Sequence, residues 1–225
     1  MIRDRPNFLV PQDVTGTVNL FDAHSVADAV CAISQYRYPD FNAQQLRQGF
    51  ADLDQACLGR YPGLLPCNTP YHNLTHFLDA ALLMARLVDS YEMRDNANAT
   101  DLVSGEQFSV AVLLALFHDV GLLRRVHEIH RPAAEPPGEL ERRSVDFMRN
   151  YLEHSALASY AGQAELILVT DLTRPVSESL HGLPAKLVAI GHMLGTADLL
   201  SQMLGRYYLE NCRDALYAEL VTTTD

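Results

Sequence analysis

Five side chains in this sequence have the types and spacing to do metal chemistry: His72, His76, His118, Asp119 and Asp198. His72 and His76 stand four residues apart, which in a helix puts both imidazoles on one face about a turn apart. His118 and Asp119 are adjacent at the end of an apolar run, and Asp198 lies within another apolar segment. Together His76, His118, Asp119 and Asp198 make a two-nitrogen, two-oxygen ligand set of the kind that holds zinc, iron or manganese with positions left for water. Asp119, with two oxygens, could also reach a second, harder ion such as magnesium or manganese. Two such divalent cations lower the pKa of a bridging water and neutralise phosphoryl oxygens, so the chemistry expected is hydrolysis of a phosphoester. His72, one turn from His76, is placed to protonate the leaving alkoxide. Taken singly, each feature has an ordinary explanation: paired histidines are common on helix faces, a His-Asp dipeptide arises by chance, and an Asp can cap or pair.

The elements that must position these residues are helical. Thr69-Pro70 reads as an N-cap followed by the proline favoured at a first helical position, which places His72 in the first turn. The positive end of a helix disfavours imidazolium, so His72 as an acid requires a carboxylate or other acceptor beside it. Nothing in the sequence singles that partner out. The helix continues through Phe77, Leu78, Ala81, Leu82, Met84, Ala85 and Val88, then gives way to the polar run Asp95-Asn96-Ala97-Asn98. Ser104 with Gln107 forms a capping box for a helix that is apolar nearly all round, as a central buried helix is, and His118-Asp119 arrive at its far end. A carboxylate next to a histidine at the end of a buried helix needs compensation, which a divalent cation supplies.

Elsewhere residues 1–20 contain Pro6, Pro11 and Gly16 without a sustained period and read as an N-terminal arm. Helical spacing returns over 24–36, and Asn42 with Gln45 starts a second helix carrying Leu46, Phe50, Leu53 and Cys57, ended by Gly59. The stretch 124–138 holds His127, His130, Pro132, Pro136 and Pro137 and reads as a helix end running into a loop. Further helices are expected over 139–153, about 162–169, 184–204 and 207–220. No alternating strand pattern competes with them, so the fold class is all-α, a compact multi-helix domain over 21–225.

The chain has 225 residues, enough for one domain with a sizeable core. With 17 basic residues against 28 acidic, a net charge of −11 and no basic cluster, its surface repels a nucleic-acid backbone, and no nucleic-acid partner is expected. A small phosphoester, a nucleotide for example, needs local cations to be held, and bound metal supplies them. Cys31, Cys57, Cys67 and Cys212 show no CxxC or zinc-ribbon spacing and read as reduced thiols, which fits the cytoplasm. The first residues do not form a secretory leader and no eighteen-residue apolar run is evident, so no membrane partner is expected.

Tyr71-His72-Asn73-Leu74-Thr75-His76, Phe117-His118-Asp119-Val120, Thr170-Asp171 and Thr196-Ala197-Asp198 together resemble the HD-domain metal-dependent phosphohydrolases, in particular the catalytic domain of class I cyclic nucleotide phosphodiesterases. The resemblance covers roughly residues 45–205, and Tyr-His-Asn-x-x-His is its most specific part. It implies an all-helical domain binding zinc and magnesium, with His76, His118, Asp119 and Asp198 on the tighter metal, Asp119 touching the second, and His72 as general acid. It also implies Thr170 and Asp171 as supports behind the ligands, although a helix end entering the loop at Pro175 explains that pair equally, and Glu141 as the acidic residue beside the bridging water. The sequence departs from the pattern where the family carries a further histidine, since Leu122 stands there; His127 and His130 could substitute or be solvated loop residues. After Asp198 the family's purine-gripping glutamine and aromatic clamp have no equivalent here, so the resemblance supports phosphodiester cleavage more than a cyclic nucleotide substrate. An HD-type nucleotide phosphatase or triphosphohydrolase, and a metal-binding regulatory module without turnover, are the alternatives. Gly191 and Gly195 are expected to permit close helix packing, and His24, His154, His181 and His192 to be structural or exposed.

Overall fold

Each residue from Gln107 to Phe117 is buried, so this stretch needs neighbours on every side, and the rest of the chain supplies them. The structure, a computed structural model, describes residues 12–38, 41–93, 103–128, 138–205 and 207–222. In chain order the helices are α1 (Ala23–Arg37), α2 (Ala43–Cys57), α3 (Leu74–Glu92) and α4 (Gly105–Phe117), then 3-10 turns at Val120–Leu122 and Val126–Glu128. There follow α5 (Glu139–Glu153), a long 3-10 stretch Ala158–Thr170, α6 (Val176–Ser179), α7 (Ala185–Met203), α8 (Tyr208–Asn211), a π-helical turn Cys212–Leu216 and α9 (Tyr217–Thr222). Among the described residues there is no strand, only isolated bridges Gln12–Asn19 and Leu64–Arg125, and the fold is all-α. α4 packs against α2, α3, α5 and α7, which is the central position its all-round apolar sequence demands. The 18 residues Gly105–Leu122 reach a mean hydropathy of 1.2, within the range of a membrane span, yet 78% of them are buried inside the fold as a core helix.

The helix starts follow local chemistry. Asp22, Asn42, Asn73 and Ser104 are N-caps whose side chains accept from the backbone N–H of His24, Gln44, Thr75 and Gln107. Gln107 does not complete a capping box, because its amide pairs reciprocally with that of Gln163 at 2.6 and 3.1 Å. The start expected at Thr69-Pro70 lies later. The Thr69 hydroxyl donates to the His72 carbonyl and closes a turn, and Asn73, a stronger cap than threonine, opens the helix. His72 therefore stands just before α3 rather than in its first turn.

Two glycines permit the close approaches that place the site. A Cβ on Gly121 would lie 2.0 Å from the Leu140 carbonyl, so only glycine lets the turn after Asp119 dock on α5, where its N–H donates to Ser144 Oγ at 2.8 Å. On α7 a Cβ at Gly191 would meet Leu180 at 2.4 Å, so Gly191 permits close packing there, whereas a Cβ at Gly195 would make only ordinary contact with Val169 at 3.7 Å. The arm expected over 1–20 lies on the domain from residue 12 onward: Val18 and Leu20 join the core, and Asp13 is tied to Arg86 of α3 at 2.6 Å. The segment expected to be helical over 162–169 is wound as the longer 3-10 stretch, and the helix expected over 207–220 is interrupted by the π turn.

Candidate metal centre

α3 delivers His76, the end of α4 delivers His118 and Asp119, and α7 delivers Asp198 to one point. The separations are close to uniform. His76 Nε2 lies 3.3 Å from His118 Nε2, 3.4 Å from Asp119 Oδ2 and 3.4 Å from Asp198 Oδ1. His118 Nε2 lies 3.1 Å from Asp119 Oδ2 and 3.3 Å from Asp198 Oδ1. Donors each about 2.0–2.1 Å from a common tetrahedral centre stand about 3.3 Å apart, so His76 and His118 together with either carboxylate have the spacing of ligands to one transition-metal ion.

The outward nitrogens of both rings are already committed. Ser201 Oγ donates to the Asp198 carbonyl at 2.6 Å and so accepts the Nδ1 proton of His76 at 3.0 Å. The Nδ1 proton of His118 goes to the Ala115 carbonyl at 2.7 Å. Each Nε2 is thus turned toward two carboxylates, an arrangement that needs a cation, either a proton on the imidazoles or a metal accepting their lone pairs. The electrostatics agree. Burial would push the His118 imidazole down, but Asp119 and Asp198 outweigh it and hold it well above the ordinary histidine value. Burial would likewise raise Asp119 and Asp198, and the imidazoles hold both far below the usual carboxylate range.

Exposure is uneven across the cluster. The His118 and His76 side chains are 1% and 4% exposed, whereas Asp198, Asp119 and His72 are 14%, 18% and 19% exposed. Solvent therefore reaches the carboxylate edges and His72 rather than the sealed imidazoles. His72 Nε2 stands 3.8 Å from Asp119 Oδ2, and its Nδ1 is bonded to Glu219 Oε1 at 2.6 Å. Glu219 also receives the backbone N–H groups of Tyr71 and His72 at 3.0 and 3.3 Å, so it grips both the ring and the turn beneath it. Burial would lower the His72 pKa, but Asp119 and Glu219 raise it above the ordinary value. This is the carboxylate partner that the histidine's position called for. The Tyr71 ring stacks edge-on to His72, centroids 4.9 Å apart, and walls one flank.

Other candidates are placed differently. Asp171 is buried, and its Oδ1 takes the N–H and hydroxyl of Thr173 at 2.9 and 2.6 Å. The Thr170 hydroxyl donates to the Ile167 carbonyl at 2.8 Å, the helix-end arrangement. Glu141 lies close enough to Asp171 and Asp119 for their charges to add to burial in raising its pKa. His127 is 72% exposed, lies 3.9 Å from Glu128, and is not among the residues that converge on the cluster. His130 lies outside the described residues. Sequence reasoning missed Ser201 and Glu219. Ser201 carried a signal, since it is three residues after Asp198 and so on the same face of α7; Glu219 carried none beyond being one of many acidic residues. Comparison with family models, curated proteins and solved structures finds no match to this chain.

Proposed function

We propose that this chain is a metal-dependent phosphohydrolase that cleaves a phosphodiester, with His72 as the proton donor to the leaving oxygen. The observation that carries the reading is a line of atoms: Glu219 Oε1 bonded to His72 Nδ1 at 2.6 Å, and His72 Nε2 on the open side of the cluster, 3.8 Å from Asp119. His76, His118, Asp119 and Asp198 would hold a divalent cation of the zinc, iron or manganese kind, and the more open Asp119 would share a second, magnesium or manganese. When bound, such cations activate water at neutral pH and neutralise phosphoryl oxygens. His72, kept protonated by Glu219, donates its Nε2 proton to the departing alkoxide while its Nδ1–H stays bonded to Glu219, which holds the ring's orientation. An anionic diester approaching a chain of charge −11 would be held at this point by the cations these residues would bind. The resemblance of the His72 and His76 element to HD-type phosphodiesterases supports the same reading, and four free cysteines fit a reducing cytoplasm.

Chelator-treated protein reloaded with zinc, manganese or magnesium is assayed on bis-p-nitrophenyl phosphate, the corresponding monoester, nucleoside triphosphates and a cyclic nucleotide panel. Metal-dependent turnover of diesters is expected, and His72→Ala should keep its metal and lose turnover. Preference for the monoester or triphosphates would overturn the diester assignment. Full turnover in His72→Ala would remove it as the acid.

A further inference from the structure

Cys57 and Cys67 take no part in the cluster, and the backbone brings them together. α2 ends in a Schellman turn: Gly59 N–H donates to the Ala56 carbonyl and Arg60 N–H to the Gln55 carbonyl, with Gly59 at φ +68°. The chain then folds back so closely that a Cβ on Gly59 would fall 2.5 Å from the Pro66 ring. This return lets Cys67 N–H donate to the Cys57 carbonyl at 2.9 Å. One such hydrogen bond keeps the two α-carbons within the roughly 4.4–6.8 Å that a disulfide spans. Both residues are half-buried, whereas Cys31 is sealed in the core.

The pair also touches the turn that carries His72. Cys67 Sγ lies 3.2 Å from Thr69 Oγ1 and 3.5 Å from the His72 carbonyl, the same carbonyl that accepts the Thr69 hydroxyl. The Cys57 thiol beside it, helped by Thr69 against burial, brings the Cys67 thiol down to about 6, and the same proximity together with burial pushes Cys57 up. A half-buried thiolate beside a second thiol is the arrangement in which oxidation stops at a disulfide.

We propose that Cys57 and Cys67 are a redox-responsive dithiol, which closes to a disulfide on peroxide and draws the Cys67 sulfur away from the turn holding His72. The Cys67 thiolate attacks a peroxide oxygen, the O–O bond breaks, and a sulfenic acid and one water form once protons are counted. The Cys57 sulfur then attacks the sulfenic sulfur; the S–S bond forms, the S–O bond breaks, and hydroxide leaves as water with the Cys57 proton. Two thiols lose two electrons and one peroxide gains them. The effect on proton donation rests on the phosphohydrolase reading; the disulfide does not.

The full chain is treated with one equivalent of hydrogen peroxide, blocked with maleimide, digested with trypsin without reduction and mapped by mass spectrometry. Arg60 lies between the two cysteines, so trypsin separates their peptides and only a disulfide holds them together. The expected product is the Cys57–Cys67 linked pair, lighter by two hydrogens and reversed by dithiothreitol, with Cys31 and Cys212 recovered as thiols. Before oxidation Cys67 should alkylate about tenfold faster than Cys31 at neutral pH. Recovery of free Cys57 with Cys67 intact or carried to sulfinic acid would overturn the proposal. Coupling to the turn is read by hydrogen exchange of the amides at 69–73, expected to quicken about tenfold on oxidation in the wild type and not in Cys57→Ser. Unchanged exchange in the disulfide form would overturn the coupling. Diester turnover should fall with it; a disulfide with quickened exchange in a chain that never turned over diesters would contradict the phosphohydrolase reading alone.

Discussion

Two sites set buried carboxylates against α3, and they are built on opposite principles. At Asp13 the protein supplies every partner. Oδ1 accepts the N–H groups of Thr17 and Val18 at 2.9 and 2.7 Å, and Oδ2 accepts the Thr15 N–H and hydroxyl and the Arg86 guanidinium at 3.1, 2.6 and 2.6 Å. At Asp119 and Asp198 the oxygens face imidazoles whose protons can come and go. The first arrangement is complete at any neutral pH and fastens the N-terminal segment to the core. The second is complete only with a cation, either protons on the imidazoles or a metal, and its carboxylates are nearer solvent than its imidazoles. A fold that satisfies one carboxylate with five donors and sets two others against histidines leaves the second place able to hold a metal ion, which is what the proposed function requires of it.

The comparison predicts different losses at the two places. Asp119→Ala should abolish metal retention and lower diester turnover by about three orders of magnitude or more, while costing the metal-free protein less stability than Asp13→Ala, because His118 can give up its proton where Arg86 cannot. Metal analysis and calorimetry on one preparation check both halves. Asp13→Ala should do the reverse, lowering stability by about 3 kcal/mol in urea unfolding by stranding a largely buried guanidinium, with metal content unchanged. Burial would raise the Asp13 carboxyl, but Thr15, Val18 and Arg86 outweigh it and hold its pKa far below the usual value. Its contribution is therefore present above the unfolded pKa of about 3.9 and lost as pH falls through the lower folded value, so variant and wild type should converge in strong acid.

Smaller effects sharpen the picture inside the metal site. Glu219→Gln should keep metal and lose turnover about a hundredfold. His72 must be protonated to act, and Glu219 is one of the groups raising its pKa, so the fall in rate on the alkaline side should move to lower pH. An unshifted limb would mean that His72 is not the group titrating. Ser201→Ala should weaken metal binding about tenfold with the ligands intact, because the Nδ1 proton of His76 loses the acceptor that turns Nε2 inward.

Much of this was legible in the sequence because it rests on local rules. The apolar run before His118 could only be a buried helix, and Asn42 and Ser104 announced helix starts through chemistry confined to three or four residues. The start of α3 was misplaced because Thr69 and Asn73 are both competent caps, and the choice depends on the bond from Thr69 to the His72 carbonyl that the turn itself creates. His76, His118, Asp119 and Asp198 were legible as a set by residue type, though nothing local says that α3, α4 and α7 meet. A carboxylate at His72 was expected from a first-turn position that the structure moves to just before α3, and its identity as Glu219 depends on a contact across 147 positions. The Asp13–Arg86 tie was invisible for the same reason, since a lone Asp in an irregular segment reads as solvated surface.

The claim on which the rest stands is that four side chains share one metal ion, and anomalous diffraction from crystals grown with zinc or manganese addresses it directly. The account predicts a single strong peak about 2.0–2.3 Å from His76 Nε2, His118 Nε2, Asp119 and Asp198. A map at the metal's absorption edge with no peak there, at metal concentrations that saturate other histidines on the surface, would contradict it.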